Sequence, residues 1–549
     1  MNGAIQLGIY GVHDLSKGQN PVLIHDHNLA VFSGGKLRHY IHLERYTRNK
    51  FDASLSRHIE KICRDLGIAG RKAIELCFAD HELGKAFISS EGKIRFEGTL
   101  ENRLDADLKK GKAYWFGSEV PAFWISHEVA HLYSCIPFYG PFKENSLLIH
   151  YDGGASVSSF SAWVFRNDKL ICIDHHYRFK WLTNLFNANA LVFRLTETSP
   201  KYHNSVPGKF MGLASFGSYR KDIERWLTEN SFFHDIWSSP GSFLEKLEKD
   251  WNLKLGNIDN HQPFLQDIAA TIHEIFIRES LKEILSLQKK TSAKILYFTG
   301  GCALSIKLNS ALRKVNIFEK IFIPPCTNDA GLSIGAAVAL SLKKGFGIER
   351  LGPYIGSWKK EGTDIQYDTQ DLREIAGMLA NHKVIGICNG NSETGPRALG
   401  NRSLLARADS KELSVRISQR IKEREWYRPL APVMLAEFIT SFTGLKKIPE
   451  SACYMLFDFK IETDKIDELR GVVHVDGTAR IQLLEERDQN PFLYDLLKIC
   501  SREFGLRALI NTSFNRKGEP IVQNPQQAEE SAREMHLDGL VINGRLMVF

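Results

Sequence analysis

No apolar run in this sequence approaches the ~18 residues needed to cross a bilayer, and the opening "MNGAIQLGIYGV" carries no basic leader. C-x-x-C spacing is absent as well. The nine cysteines are scattered and odd in number, which excludes a disulfide framework or zinc ribbon and fits free thiols in a reducing compartment. Together these absences predict a cytoplasmic protein without membrane association. Lysine-rich clusters are missing too. A net charge of +7 over 549 residues is mild, so nucleic-acid binding is not expected, while an anionic small-molecule substrate is compatible. Short-period repeats and low-complexity segments are absent, which excludes a solenoid or array. What is present is an ordinary globular composition, 43% apolar and 25% charged, in a chain too long for one hydrophobic core. Two or more domains are expected.

The order of elements supports this. β-rich runs open the chain ("IQLGIYG", then "NLAVFSGGKLRHYIHLERY" with "SGGK" as a hairpin turn), followed by a helix in "SLSRHIEKICRDLGI" and a strand in "AIELCFAD". A helix carrying "HEVAH" follows. The pattern then restarts. "SLLIHYDGGASVSSFSAWVFRNDKLICIDHHYR" has the rhythm of three strands, and "FLQDIAATIHEIFIRESLKEILSLQKK" that of a long helix. "AKILYFTGGCA" is a strand entering a glycine turn, and "GLSIGAAVALSLKKG" a small-residue helix. Two β-β-β-then-α/β halves predict a duplicated α/β domain over 1–355 with a cleft between the halves. Glycine, proline and charge mark a linker over 356–368, and a second α/β domain fills 369–549.

"HEVAH" (127–131) matches the zinc-peptidase pattern, with His127 and His131 on one helical face. Three readings stand at this point: a metal pair, two core histidines, or a peptidase. The following "LYSCIPFYGPF" offers no third ligand of peptidase type. Asp152, at a strand-to-glycine turn in "IHYDGGAS", and Asp329, before the small-residue helix in "PPCTNDAGLSIGAA", are carboxylates at strand ends. Such positions suit phosphate and metal binding, or mere helix capping. Two histidines with two aspartates form a mixed N/O set suited to Fe(II), Zn or Mn.

Nine segments now carry a family resemblance. "HDHNLAVFSGGKLRHYIHLERYTRNK", "SHEVAHLYS", "IHYDGGAS", "PGKFMGLASFG", "FTGGCALSIKLN", "PPCTNDAGLSIGAAVAL", "ETGPRALGNRSLLA", "REWYRPLAPVML" and "LINTSFNRKGEPIV" occur in this order across nearly the whole chain. Together they resemble the O-carbamoyltransferases of the nodulation (NodU) and antibiotic-tailoring (tobramycin and cephamycin) type. The resemblance implies an N-terminal domain of the actin/sugar-kinase fold and a C-terminal YrdC-like domain. The latter would form carbamoyl-adenylate from carbamoyl phosphate and ATP with Mg. The former would pass the carbamoyl group to a hydroxyl of a small-molecule acceptor such as a sugar, glycoside or secondary metabolite. It also implies that His127, His131, Asp152 and Asp329 are metal ligands, with Fe(II) the expected ion or another divalent metal in its place.

The C-terminal motifs suit that chemistry. Arg397 and Arg402 lie in the glycine-punctuated "GPRALGNRS", and Lys422, Arg424 and Arg428 put three cations within seven residues, whether as a phosphate cradle or as a solvated helix face. "KER" and "SFN" resemble the K-x-R and S-x-N signatures of YrdC-like domains. That carries Lys422, Arg424, Ser513 and Asn515 over as carbamoyl-phosphate and nucleotide ligands, with Asn511 in the same stretch. Gly153, Gly154, Gly300 and Gly301 sit where backbone must approach phosphate or adenosine. Lys209 in "PGKFMGLASFG" is a phosphate contact or a surface loop lysine.

The resemblance also implies an H-D pair ahead of "ERYTR" as general base. His25 and Asp26, 20 residues before Arg45, fit the spacing; His13 and Asp14 in "GVHDLS" do not. His42 and Leu43 depart from the family pattern, in which acidic residues often precede the glutamate of "ERYTR". Two other functions remain open. A threonylcarbamoyl-type tRNA-modification enzyme would share both domains, but no basic, aromatic RNA-binding patch is evident. A catalytically idle nucleotide-binding regulator would not need the four-ligand set and the Lys422, Arg424, Ser513, Asn515 constellation.

Overall fold

The structure, a computed structural model, describes residues 4–11, 24–80, 86–98, 104–177, 190–230, 232–233, 240–254, 258–356 and 365–549. The first half builds on β1 (Ile5–Tyr10), whose six residues are all buried. The hairpin β2 (Asn28–Ser33) and β3 (Lys36–His42) turns at Gly34 and Gly35, both at positive φ, as "SGGK" predicts. The helix Leu55–Asp65 then returns the chain to β4 (Ile74–Ala79), parallel to β1. The sequence reading passed directly from β4 to the HEVAH helix. Between them lie β5 (Ala86–Ile88), β6 (Ile94–Gly98), β7 (Lys109–Trp115) and β8 (Ser118–Ile125). Their outward lysines and glutamates, alternating with buried Phe96, Ala113, Trp115 and Val120, make a charged loop of what is a half-buried sheet. The sheet order is β3-β2-β1-β4-β8-β7-β6-β5.

The second half repeats the core of the first. β9 (Ser146–Tyr151), β10 (Phe160–Arg166) and β11 (Lys169–His176) form an antiparallel meander. The 29-residue helix Pro263–Thr291 leads to β12 (Ile295–Thr299), parallel to β9, and then to β13 (Lys320–Phe322). The order β11-β10-β9-β12-β13 matches β3-β2-β1-β4-β8 strand for strand. This is the duplication expected from the sequence. The small-residue helix Leu332–Lys343 packs on the first half, against β1 and the HEVAH helix. A Cβ on Gly335 would lie 1.8 Å from the Ala130 carbonyl oxygen, so only glycine admits that approach.

The C-terminal region is a third α/β layer. Its sheet runs β19-β16-β20-β15-β14-β21-β22, from β14 (Ile385–Cys388), β15 (Arg402–Arg407), β16 (Ala431–Leu435), β19 (Gln482–Leu484), β20 (Ala508–Ser513), β21 (Gly539–Ile542) and β22 (Arg545–Val548). A short ribbon pairs β17 (Phe459–Lys460) with β18 (Thr478–Ala479). One hydrophobic core runs from Tyr151 and Phe276 of the second half to Met455 and Ile481 of this layer. Polar ties reinforce it: Tyr427 donates to the Thr196 carbonyl at 2.9 Å, and buried Arg45 donates to Gly395 O at 2.8 Å and to the Glu393 carbonyl. Within the expected linker, residues 357–364 lie outside the described residues. No helix among the described residues is long and apolar enough to cross a membrane.

Candidate active site

The H-E-x-x-H segment forms the short helix His127–Tyr133, capped by Ser126, whose Oγ accepts from Val129 N at 3.3 Å. His127 N donates to Asp80 Oδ1 at 3.1 Å and to Ser156 Oγ at 2.9 Å, which fixes the helix start. One turn apart, the two imidazoles bring their Nε2 atoms to 3.1 Å. Both strand-end carboxylates converge on them. Asp152 Oδ2 lies 3.5 Å from His131 Nε2, and Asp329 Oδ1 lies 3.5 Å from Nε2 of each histidine. Asp152 is aimed by two amides: Gly153 N donates to Oδ1 at 2.6 Å and Gly301 N to Oδ2 at 2.7 Å. Gly300 makes that turn at φ +90°, where a Cβ would sit 2.3 Å from the Tyr151 carbonyl oxygen. Asp329 accepts from Tyr10 Oη at 2.8 Å on its other oxygen. The four predicted ligands are therefore brought together.

The carboxylates govern the charge of this cluster. Burial opposes charge on His127, yet Asp329 and Asp152 push it up to about 9. Burial likewise opposes charge on Asp329, but His25 and His127 hold it well below the usual carboxylate range. The carboxylates thus favour the charged form of the neighbouring imidazoles. Two Nε2 atoms facing each other beside two carboxylates fit a divalent ion. Glu128 plays no part there. It is fully buried, and its Oε1 accepts from Val157 N at 2.9 Å and Ser158 Oγ at 3.0 Å, fastening the loop after β9. A peptidase would need that carboxylate free beside the metal.

His25 and Asp26 stand at the same end. His25 Nδ1 is 3.1 Å from Asp26 Oδ2 and 3.9 Å from Asp329 Oδ2. Asp26, held at φ +56°, also meets His42 Nε2 at 3.3 Å and accepts from Asn328 Nδ2 at 2.9 Å. His42, a departure from the family pattern, thereby becomes a second imidazole on the Asp26 carboxylate, while Leu43 is buried in the core. Burial disfavours the charged form of His25, but Asp329 and the Asp26 hydrogen bond raise it to about 9. His13 and Asp14 lie outside the described residues.

The opposite end is cationic. The helix Lys411–Val415 passes into a π-helical turn over Arg416–Ile421, Lys422 follows, and Glu423 sits at φ +46°. Wide turns and left-handed non-glycine residues concentrate at functional sites. Lys422 Nζ donates to Asn515 O at 2.9 Å, to Asn515 Oδ1 at 3.0 Å and to the Ser513 carbonyl; Arg424 Nη2 donates to Ser513 Oγ at 3.3 Å. The K-x-R and S-x-N pieces are one cluster, carried by that turn and the end of β20. Asn511, on β20, donates to Gln482 Oε1 at 2.6 Å. Burial, then Arg424 and Arg428, hold the Lys422 ammonium well below its ordinary range. Burial and Arg428 lower Arg424 to about 9 and Arg397 to about 10.

One expected ligand, Arg402, stands away from the cavity, while Lys209 lines it. Arg402 is buried and donates to four backbone carbonyls, including Asn389 O at 2.7 Å and Gly390 and Gln523 O at 2.8 Å. It braces the loop and is not among the residues lining the cavity. Lys209 lies on the helix Val206–Ala214, not on a surface loop, and pairs with Glu425 at 2.6 Å. Gly154 and Gly300 stand back from the cavity, whereas Gly153 and Gly301 line it.

The two ends are one space. A single cavity of about 910 Å³ is lined by His25, Asp26, Asp152 and Gly301 at one end and by Arg397, Lys422, Arg424, Arg428, Ser513 and Asn515 at the other. The sequence reading missed three residues here. Arg480, just before β19, lines the cationic end, where burial and Arg397 depress it strongly; it lies far from any cation run. Lys50 lines the cavity from a turn after "ERYTR". His150 packs against the histidine pair, and its place two residues before Asp152 on one strand was a usable signal.

Comparison with known proteins agrees with this division. Two family models match in order: carbamoyltransferase N-terminus over residues 117–338 and carbamoyltransferase C-terminus over 376–548. Nodulation protein NolNO of Sinorhizobium fredii is 29% identical over 98% of this chain and 81% of its own length. The 3'-hydroxymethylcephem-O-carbamoyltransferase of Streptomyces clavuligerus is 27% identical over 91% of this chain and 92% of its own, and that of Amycolatopsis lactamdurans 29% identical over 74% and 77%. A crystal structure of full-length HypF in the phosphate- and nucleotide-bound form overlaps with a TM-score of 0.33 at 13% identity, covering 62% of this chain and 47% of that one, too slight a likeness to argue from. The two matched models span more than two thirds of the sequence and meet across the cavity just described: the chain belongs to the carbamoyltransferase family.

Proposed function

We propose that this chain is an ATP-dependent O-carbamoyltransferase that performs two half-reactions at the two ends of its cavity. The carrying observation is the continuity of that cavity between a cationic cluster and an acid–imidazole cluster. At the cationic end, a YrdC-like domain over 369–549 takes carbamoyl phosphate and ATP with Mg. Lys422, Arg424, Arg397 and Arg428 neutralise the phosphates, and Ser513, Asn515 and Asn511 supply polar contacts. Water cleaves carbamoyl phosphate to carbamate and phosphate; a carbamate oxygen then attacks the α-phosphorus of ATP, and the bond to the bridging oxygen breaks to release pyrophosphate and leave carbamoyl-adenylate. A carbamoyl group is resonance-stabilised and a poor electrophile, so adenylation supplies the leaving group that transfer requires.

At the other end, 1–355, an actin/sugar-kinase-like domain, receives the adenylate. Asp152, Asp329, His127 and His131 would hold a divalent metal, Fe(II) by family resemblance. When bound, it offsets charge on the departing AMP phosphate. The Gly153 and Gly301 amides keep Asp152 in place. Asp26 holds His25 through Nδ1, leaving the other ring nitrogen to the acceptor, and His42 and Asn328 hold Asp26. Asp329, whose charge is the main cause that raises His25, would be shared with the metal, leaving His25 neutral. The acceptor oxygen attacks the carbamoyl carbon, its proton passes to that neutral ring, and the bond from the carbon to the AMP oxygen breaks with its electron pair leaving on AMP. A small hydroxylated molecule is the acceptor.

The test is carbamoyl-phosphate-dependent ATP–pyrophosphate exchange, followed by mass spectrometry of hydroxylated acceptors incubated with both substrates. Exchange is expected, with the acceptor gaining the mass of one carbamoyl group. Folded protein that catalyses no exchange overturns the proposal.

A further inference from the structure

A third imidazole at the histidine pair is used by nothing described so far. Side chains alternate along β9: Leu147, Ile149 and Tyr151 enter one core, Leu148 the other. His150 falls on the Leu148 side, the side that the next alternate residue, Asp152, continues. It is fully buried, and its ring stacks on His131 with centroids 5.2 Å apart and on edge to His127 at 6.0 Å. Neither Nδ1 nor Nε2 has a hydrogen-bond partner among the described residues. One ligand atom from each of His127, His131, His150 and Asp152 can be chosen so that all four lie within 4.8 Å of one another.

A packing role does not account for this. A neutral imidazole carries one N–H and one lone pair, and burying such a group unpartnered costs about 1–3 kcal/mol. A valine or phenylalanine on the same strand would fill the space without that loss. The cost is removed when a ring nitrogen has something to bind, and the neighbours are a histidine pair and two carboxylates. We propose that His150 is a third imidazole ligand of the divalent metal, completing with His127, His131 and Asp152 a three-nitrogen, one-carboxylate donor set, beside which Asp329 lies 3.5 Å from Nε2 of both His127 and His131. This rests on the metal reading given under the proposed function. Nitrogen-rich sets favour transition metals, whereas Mg²⁺ takes oxygen ligands. His150 therefore gives this end of the cavity a means to refuse the Mg²⁺ that accompanies ATP at the other.

The experiment uses full-length protein stripped of metal by a chelator and titrated with Co²⁺, with and without millimolar Mg²⁺. Wild type is compared with His150→Phe, His150→Gln and His127→Ala. Readouts are the visible Co²⁺ spectrum, the Co²⁺ dissociation constant and the shift in unfolding temperature on metal addition. For both His150 variants the dissociation constant is expected to rise at least 10-fold, with an altered spectrum, a smaller thermal shift and stronger competition by Mg²⁺. Metal-free His150→Phe should unfold no earlier than metal-free wild type, because an unpartnered polar group has been removed. If wild type binds Co²⁺, His127→Ala does not, and both His150 variants keep the wild-type spectrum and affinity, His150 is a packing residue and the inference is overturned. If wild type itself takes up no metal, the metal reading falls, and this inference with it.

Discussion

The two ends of the cavity are opposites in charge and alike in design. One gathers Asp26, Asp152 and Asp329 among imidazoles; the other gathers Lys422, Arg424, Arg397, Arg428 and Arg480. In a finished structural network, charge is balanced locally. Here each end keeps an excess of one sign in a partly desolvated space: the carboxylates raise His25 and His127 to about 9 against burial, and burial with Arg428 lowers Arg424 to about 9. In the proposed reaction the first end takes a cation and the second takes phosphates. Arg402 shows the contrast, since its buried guanidinium meets four carbonyls and is satisfied within the protein.

The largest expected effects test whether the ends act separately. Lys422→Ala should lower carbamoyl-phosphate-dependent ATP–pyrophosphate exchange by about 10³-fold with metal content unchanged, read by labelled pyrophosphate and elemental analysis. His127→Ala should do the reverse, abolishing transfer to the acceptor while exchange persists. Parallel loss of both half-reactions in folded His127→Ala would break the comparison. Next comes Arg402→Ala, which leaves several buried carbonyls without donors. A loss of about 4 kcal/mol in urea unfolding is expected. Arg397→Ala, at a cation left for ligand, should cost less stability and weaken ATP binding more.

The smallest effect belongs to the middle of the cavity. His273 is buried there, and burial together with Lys307 lowers it to about 4. The unfolded chain, with an ordinary histidine near 6.5, therefore binds the proton first as the pH falls. Stability from this residue is full above pH 6.5 and is lost as the pH drops through about 4. Relative to wild type, His273→Leu should recover up to about 3 kcal/mol at pH 4, read from urea midpoints at pH 7 and pH 4.

Much of this was legible in the sequence because it is local or periodic. The β9–β10–β11 restart reveals the duplication, and H-x-x-x-H on a helix places two rings together whatever surrounds them. Asp152 and Asp329, 177 positions apart, stand out by their places at strand ends, but their joining the histidine pair is implied only by motif resemblance. Arg402 was misjudged because an arginine in a glycine-rich loop suits carbonyls as well as phosphates, and only the folded loop reveals which it meets. Strands β5–β8 are hard to read because their exposed positions mix charge (Arg95, Glu97, Lys110, Lys112, Glu119) with Ile88 and Tyr114, which blurs the alternation. Arg480 has no sequence signature at all, since it joins its cluster solely through the placement of β19.

One feature of the cationic end bears on how such a chain can change. Lys422 and Arg424 reach their partners because a wide π turn is followed by Glu423 at φ +46°, a conformation that costs a side chain other than asparagine or glycine about 1–2 kcal/mol. Glu423→Asn would lighten that strain, and selection for heat tolerance alone should favour it. Selection for turnover acts on the alignment of the two flanking cations instead. Position 423 is thus one where the two pressures can be scored independently within a single codon library.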